Sequence, residues 1–346
     1  TKDLLSLLLA ERTLCTEANL NNFLGVPLTL TKLDKNAHDR AVVEAGINEP
    51  GEMETLEGMI APDLAIITGV GPAHLEKLGS LEGVSVEKAK LGRVAPEVFF
   101  PEDCLQYASF QAIGERMRVL VSPERAKDLP RERCIIGETS QARVGRCRLW
   151  LEPAAATALE VELPFCAPGM VRNAALAIAV ALRCGISQEQ VIARLEQWQP
   201  SAQRGEWRQY ASQTVYLDSY NANPASMIEA LAAFTLGAPE ELPRLYVLGG
   251  MRELGVSSFG YHVEVAKSIS LRPDDRTVLI GLEADGYEQG LLEAGARPEQ
   301  VSIFEQTEAA QEAVGSFEGA VLLKGSRVYA LEQLLPAANG KEVAPC

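Results

Sequence analysis

With 346 residues, 47% of them hydrophobic, the chain has the length for two domains and a large buried core. Its 32 basic and 47 acidic residues give a net charge of −15, without the basic stripe that a phosphate backbone requires, which argues against nucleic acid as a partner. No apolar run reaches the roughly 20 residues that span a bilayer, the N-terminus reads as carrying no signal peptide, and the cysteines (Cys15, Cys104, Cys134, Cys147, Cys166, Cys184, Cys346) lack CxxC spacing, which suits a reducing cytoplasm and no zinc site.

Along the chain, the aliphatic runs RAVVEAG, LAIITGV, MRVLVS, TVYLDSY, RLYVLGG, RTVLIGL and AVLLKGS read as strands separated by helical segments. That alternation predicts an α/β fold of parallel sheets with helices on both faces. AALAIAVAL, Ala174 to Leu182, reads as a buried helix. Between Val94 and Pro164, proline and charge interrupt the pattern, and no role is assigned there. The helical segment QEQVIARLEQW runs into Pro200, Ser201 and Gly205, which puts a boundary near residues 199–205. The second domain, from about Arg204, shows a strand-helix repeat like a dinucleotide fold but without GxGxxG.

Ligands of such sheets gather at the carboxyl ends of the strands, where this sequence has Glu44, Thr68, Asp218, Gly249 and Lys324. Glu44 reads either as a surface end-cap or as a metal ligand. His74, one of three histidines, follows the turn through Gly69, Gly71 and Pro72 and reads as a structural histidine or a ligand. Both are expected at the carboxyl ends of neighbouring strands, where their side chains converge. One carboxylate and one imidazole leave a magnesium ion under-coordinated, since it takes about six ligands. Lys88 and Lys90 read as solvated helix residues paired with Glu87 or Glu82, and Lys88 alternatively as a desolvated amine that loses its proton and forms a carbamate with carbon dioxide. In VYLDSYNANPASMIEAL, Asp218, Asn221 and Asn223 read as turn formers or as ribose and phosphate binders ahead of a helix opened by Pro224. LLKGSR suits an anionic group at a helix N-terminus.

Five segments in order, ANLNNFLGVPLTL, VVEAGINEPGEMETL, GPAHLEKLGSLEGVSVEKAKL, DSYNANPASM and KGSR, resemble the motifs of the Mur ligase family over nearly the whole chain. The resemblance implies a central ATPase-type parallel-sheet domain over residues 1–200, followed by a Rossmann-like C-terminal domain over 201–346. It implies a cytoplasmic, ATP-dependent ligase that joins D-alanyl-D-alanine to UDP-N-acetylmuramoyl-tripeptide through an acyl phosphate, in peptidoglycan precursor synthesis. Magnesium and cationic groups would neutralise the charge that develops. The same resemblance implies that Glu44, His74 and a carbamylated Lys88 hold the magnesium and form the catalytic set. Lys88 is selected over Lys90 because the family's carbamylated lysine lies fourteen residues after the histidine, and 88 − 74 = 14. Asn173 is implied near the adenine, Arg204, Asp218 and Asn221 near phosphate and ribose, Asn21 and Asn22 on the UDP-peptide side, and Lys324, Ser326 and Arg327 on the acceptor side.

Three departures accompany the resemblance. The family's G-K-T phosphate loop is expected immediately upstream of TKDLLSLLLA, so residues 1–346 by themselves are expected not to ligate. Gly250 stands where relatives usually carry aspartate, and Gly169 where a histidine often precedes M-V-R-N. Rival readings are another Mur-type amino acid ligase, a folate-type glutamate ligase, and a non-catalytic Mur-ligase-like binding fragment. GPAHLE and DSYNANP argue against the first two, and a G-x-x-G-K-T segment upstream in the gene would exclude the third.

Overall fold

The computed structural model describes residues 1–10, 12–143, 146–152, 158–163, 167–199, 201–210 and 212–335. Pro200 at the expected boundary, Cys166 and Cys346 lie outside the described residues, as does the side chain of Cys147. The chain forms two compact units, one of Thr1–Val70 and Lys77–Gln199, the other of Gly71–Glu76 and Pro200–Cys346.

The first unit holds a two-stranded parallel sheet, β1 (Thr13–Cys15) with β2 (Arg40–Val42). It also holds a six-stranded sheet in the order β3-β4-β5-β6-β7-β8. These strands are β3 (Leu64–Ile66), β4 (Glu97–Pro101), β5 (Met117–Val121), β6 (Cys134–Arg143), β7 (Arg146–Glu152) and β8 (Leu159–Leu163). β3 to β6 pair in parallel, but β6, β7 and β8 pair antiparallel. The middle sheet is therefore mixed and not parallel throughout. The reason is connectivity, since β6 to β8 follow one another too closely for the crossover of a dozen or more residues that parallel neighbours need.

Burial follows the pairing. EVFFP of β4 is buried at every position, as a strand covered on both faces should be, whereas LEVEL of β8 alternates buried and exposed. All of β4 to β8 falls in the stretch 94–164 that the sequence leaves without a role. A second expectation also changes, because β2 and β3 belong to different sheets, so Glu44 does not follow a strand that neighbours β3. The chain leaves β2 through the helix Glu52–Ile60 before β3 begins.

The alanine-rich run is a helix, Pro168–Arg183, with proline in its first turn and Ala174 to Ala181 buried. It shares one core with Leu4, Leu5 and Leu8 of the helix Lys2–Leu9 and with Leu149, Leu151 and Leu163 of the sheet.

The second unit is a six-stranded sheet in the order β13-β12-β11-β14-β10-β9. Its strands are β9 (Glu206–Tyr210), β10 (Gln213–Leu217), β11 (Arg244–Gly249), β12 (Arg276–Ile280), β13 (Val301–Phe304) and β14 (Gly319–Lys324). All pairs are parallel except the edge pair β9 with β10. The central strands β11 and β14 are buried throughout, which gives the near-continuous apolar runs RLYVLG and GAVLLK. The carboxyl ends of β10, β11, β12 and β14 all open at one edge.

One buried histidine braces that edge. His262, on the helix Ser258–Lys267, has no exposed surface. Its Nε2 accepts from the Met251 N–H at 2.8 Å, just past β11, so its Nδ1 carries the proton and donates to the Ser258 carbonyl at 2.7 Å. Burial lowers its pKa. The folded protein then binds a proton at His262 less readily than the unfolded chain does. The stability it contributes is full above the ordinary histidine value of about 6.5 and is lost as pH falls below it. Denaturant titrations from neutral to mildly acid pH should show stability falling, and His262→Asn should flatten that slope while costing about 1–3 kcal/mol at neutral pH.

Candidate active site

In the first unit, the asparagine-rich and glutamate-bearing segments lock together. Asn21 Nδ2 donates to Glu44 Oε1 at 2.8 Å, and the Glu44 N–H donates to Thr16 Oγ1 at 3.0 Å. A Cβ on Gly46 would stand 3.0 Å from the Asn21 amide, so the glycine of VVEAG leaves the room in which Asn21 meets Glu44. Asn22 does something else. Its Oδ1 accepts from the N–H groups of Leu24 and Gly25 at 3.1 and 2.9 Å, opening the helix Gly25–Leu30. The structure thus brings Asn21 to Glu44 and turns Asn22 into a helix-start residue.

The helix Leu81–Ala89 begins with Ser80, whose side chain accepts from the Gly83 N–H, and carries Glu87 and Lys88 in its last turn. Glu87 is 3% exposed. Its Oε1 accepts from the N–H groups of Gly51 and Met53, both at 2.9 Å, and so caps the helix Glu52–Ile60, while its Oε2 meets Lys90 Nζ at 2.7 Å. Burial alone would raise the Glu87 pKa, but the bonds from Lys90 and the two backbone N–H groups outweigh it and hold the pKa below the ordinary value. Lys90 is therefore the partner of Glu87. Lys88 instead donates to the Gly69 carbonyl at 2.6 Å, at the turn after β3. Desolvation lowers its pKa, with the nearby Cys104 opposing. The Cys104 thiol is itself pushed up to about 12 by burial. On the helix Pro168–Arg183, Asn173 Oδ1 is buried and has no hydrogen-bond partner among the described residues.

In the second unit, three of the expected residues meet at the carboxyl ends of β10 and β14. Lys324 Nζ lies 3.0 Å from Asp218 Oδ2 and donates to the Asn221 carbonyl at 2.7 Å. Asn223 caps the helix Pro224–Gly237 in a reciprocal pair with Ser226. The Arg204 guanidinium lies 4.1 Å over the Tyr220 ring. Ser326 accepts the Arg252 N–H at 3.0 Å through its hydroxyl. Arg327 Nη1 donates to Glu332 at 2.6 Å and to Gln203 at 2.9 Å. His74 pairs through Nδ1 with Glu253, and both residues have left-handed backbones, φ 55° and 64°. Among the described residues, no three His, Cys, Asp or Glu side chains gather as a metal site.

Sequence reasoning named Glu87 only as a partner for the lysines, not as the cap of the helix Glu52–Ile60, and it missed Glu253 and Gln203. Glu87 left a signal, a carboxylate in the run VSVEKA next to the selected lysine, whereas the partners of His74 and Arg327 are remote in sequence and left none.

The model of the Mur ligase middle domain matches residues 1–181, and that of the Mur ligase glutamate ligase domain matches residues 203–327. The chain belongs to the Mur ligase family. Among curated relatives, the UDP-N-acetylmuramoyl-tripeptide–D-alanyl-D-alanine ligase of Treponema pallidum is 31% identical over 94% of this chain and 68% of that protein. The ligase of the same name from Mycobacterium bovis is 32% identical over 81% of this chain and 56% of that protein. The chain thus spans between about half and two-thirds of these relatives' length. A crystal structure of MurF from Acinetobacter baumannii superposes with a TM-score of 0.82, 27% identity and coverage of 96% of this chain and 72% of that one. MurF from Thermotoga maritima, solved in complex with ADP, shares the fold at a TM-score of 0.77 and 20% identity over 96% of this chain and 75% of that one.

The Glu87 cap carries a direct test. Glu87→Ala leaves the Gly51 and Met53 N–H groups and the Lys90 amine without their partner. Chemical denaturation should register a loss of about 1–3 kcal/mol, with Lys90→Ala costing less.

Proposed function

We propose that this chain carries the core of an ATP-dependent ligase that joins D-alanyl-D-alanine to UDP-N-acetylmuramoyl-tripeptide through an acyl phosphate, in the cytoplasmic assembly of the peptidoglycan precursor. The observation that carries the reading is the 31% identity to the Treponema ligase over 94% of this chain, which runs through both Mur domains. The domain assignment, residues 1–200 as the central ATP-binding domain and 201–346 as the C-terminal domain, is part of the proposal.

For magnesium, the proposal keeps the set that the resemblance implies: Glu44, His74 and a carbamylated Lys88. Two features of the first unit support it. Glu44 offers an oxygen donor fixed by Asn21, and Lys88 has an amine whose burial favours the neutral form. A neutral amine adds through its nitrogen lone pair to carbon dioxide and releases a proton, which turns the position into an anion with two oxygens. Magnesium bound there would screen the charge between the tripeptide carboxylate and the transferred phosphoryl group.

Asn173 fits an adenine neighbour, because its buried Oδ1 is an acceptor and the adenine exocyclic amine is a donor. Asp218, with its carboxylate already oriented by Lys324, suits a ribose hydroxyl, and Arg204 suits a phosphate. Asn21 reads as the residue that orients Glu44 as well as facing the UDP-peptide. Asn22, whose Oδ1 accepts the Leu24 and Gly25 N–H groups ahead of the helix Gly25–Leu30, is retained only as a neighbour of that surface. Lys324, Ser326 and Arg327 form the acceptor side, with Lys324 acting through Asp218 and Asn221.

In the full-length protein, ATP turnover should require the UDP-linked tripeptide, and amide formation should further require D-alanyl-D-alanine. Free D-glutamate or diaminopimelate serving equally well as acceptor would overturn the assignment. Lys88→Ala should lower kcat about 10–100-fold, while Lys90→Ala should leave kcat near the parent value and lower stability. Incubation with isotopically labelled bicarbonate should place label on Lys88 in the parent and none in Lys88→Ala. Equal loss of kcat in the two variants, or label absent from the parent, would remove the carbamate from the proposal.

A further inference from the structure

β11 ends at Gly249, and the side-chain space above the next residue, Gly250, is already filled. A Cβ on Gly250 would collide with the Glu283 carboxylate and stand 2.9 Å from the Tyr329 hydroxyl. Glu283 reaches that space from the turn after β12. Its Oε1 accepts from Arg252 Nη1 at 2.7 Å, and its Oε2 accepts from the Tyr329 hydroxyl at 2.5 Å. Arg252 lies in the loop after β11, and Tyr329 ends the short helical turn Arg327–Tyr329 after β14. One carboxylate therefore ties three strand exits together. Ser326 repeats the tie: its N–H donates to the Gly250 carbonyl at 3.2 Å and its hydroxyl oxygen accepts the Arg252 N–H at 3.0 Å.

Electrostatics keep this cluster in one state. Burial would raise the Glu283 pKa, but the Tyr329 hydrogen bond and the Arg252 charge outweigh it and hold the group ionised. The Tyr329 phenol is pushed up to about 12 by burial and by its bond to Glu283, so it remains the donor. The Arg252 side chain is still 50% exposed, against 16% for Glu283. A guanidinium braced from behind by a carboxylate and open in front is a preorganised receptor for a second carboxylate. Arg327, which the resemblance places on the acceptor side, is as exposed at 53%, but its Nη1 is shared between Glu332 and Gln203.

Resting on the ligase reading above, we infer that Arg252 contacts the free carboxylate of the dipeptide acceptor. Glu283 is the positioning residue that holds it there, in the space an acidic side chain on residue 250 would take. Glu283 does not touch substrate, and its role is to fix the direction of Arg252 and to join the β11 and β14 loops through Tyr329.

The experiment has two arms, both on the full-length protein. In the first, thermal unfolding is compared for Gly250→Asp, Glu283→Ala and the double variant. Gly250→Asp alone should lower Tm, because two carboxylates collide, and adding Glu283→Ala should recover most of that loss. A double variant no more stable than Gly250→Asp overturns the claim that Glu283 fills this space. In the second arm, Arg252→Ala should raise the dipeptide KM about tenfold and leave the ATP KM unchanged, with Arg252→Lys in between. Glu283→Gln should shift the same KM less, at unchanged kcat. With an amide-capped dipeptide, the parent and Arg252→Ala should become alike. A KM difference that persists with the capped dipeptide, or an equal shift in the ATP KM, overturns the role of Arg252. A parent that ligates no dipeptide overturns the ligase reading and the ligand with it, while the Tm comparison still decides whether Glu283 occupies the Gly250 space.

Discussion

The buried ammonium of Lys324 sets the terms for the second unit. At 2% exposure it has left water, and such a charge persists only when a counter-charge and further acceptors replace the lost hydration. Asp218 supplies the charge at 3.0 Å and the Asn221 carbonyl the acceptor at 2.7 Å. Because Lys324 ends β14 and Asp218 follows β10, the pair fixes how two neighbouring strands leave the sheet. The Asp218 N–H continues the ladder to the Leu323 carbonyl at 3.0 Å, so the exit is held by backbone as well as by charge. The loop that follows is then short enough for Asn223 to cap the helix Pro224–Gly237. The polar residues of this edge hold one another in place, and such bracing is what lets a site discriminate among ligands.

The first unit solves a related problem with two lysines two positions apart. Residues so spaced on a helix differ by about 200° in direction, so Lys88 and Lys90 cannot share a partner. Lys90 faces Glu87 and completes the cap on the helix Glu52–Ile60. Lys88 faces the turn after β3, where it finds a carbonyl, and it sits beside a thiol that burial keeps protonated. A carbonyl satisfies one N–H without compensating the charge. The neutral amine therefore costs less here than at an exposed lysine, and that is the condition a reactive lysine requires.

The apolar strand runs made much of the fold legible, because a strand buried on both faces has to be nearly continuous in valine, isoleucine and leucine, as β11 and β14 are. The mixed sheet of the first unit was not legible. Alternating segments such as LEVEL in β8 bury only every second side chain, and Glu160 and Glu162 between them read as solvent-exposed charge. Of the candidate site, sequence separated Lys88 from Lys90 only through resemblance, whereas the structure separates them by their partners. Contacts such as Asn21 with Glu44 and Glu283 with Arg252 link residues 23 and 31 positions apart. No local pattern encodes pairings of that range.

His74 shows where local sequence and backbone strain meet. A non-glycine residue in the left-handed region costs about 1–3 kcal/mol and persists only where its surroundings over-determine it. Here two such residues, His74 and Glu253, are each other's side-chain partners, and the Glu253 carbonyl also accepts the Glu76 N–H at 3.3 Å. The turn through Gly69, Gly71 and Pro72 delivers a histidine whose backbone would relax if it were free to do so. A Cβ on Gly255, also left-handed at φ 60°, would stand 3.4 Å from the Glu76 Cα, so the two stretches of backbone approach each other closely here. The ion pair with Glu253 and the bond from Glu76 together fix the direction of the His74 imidazole.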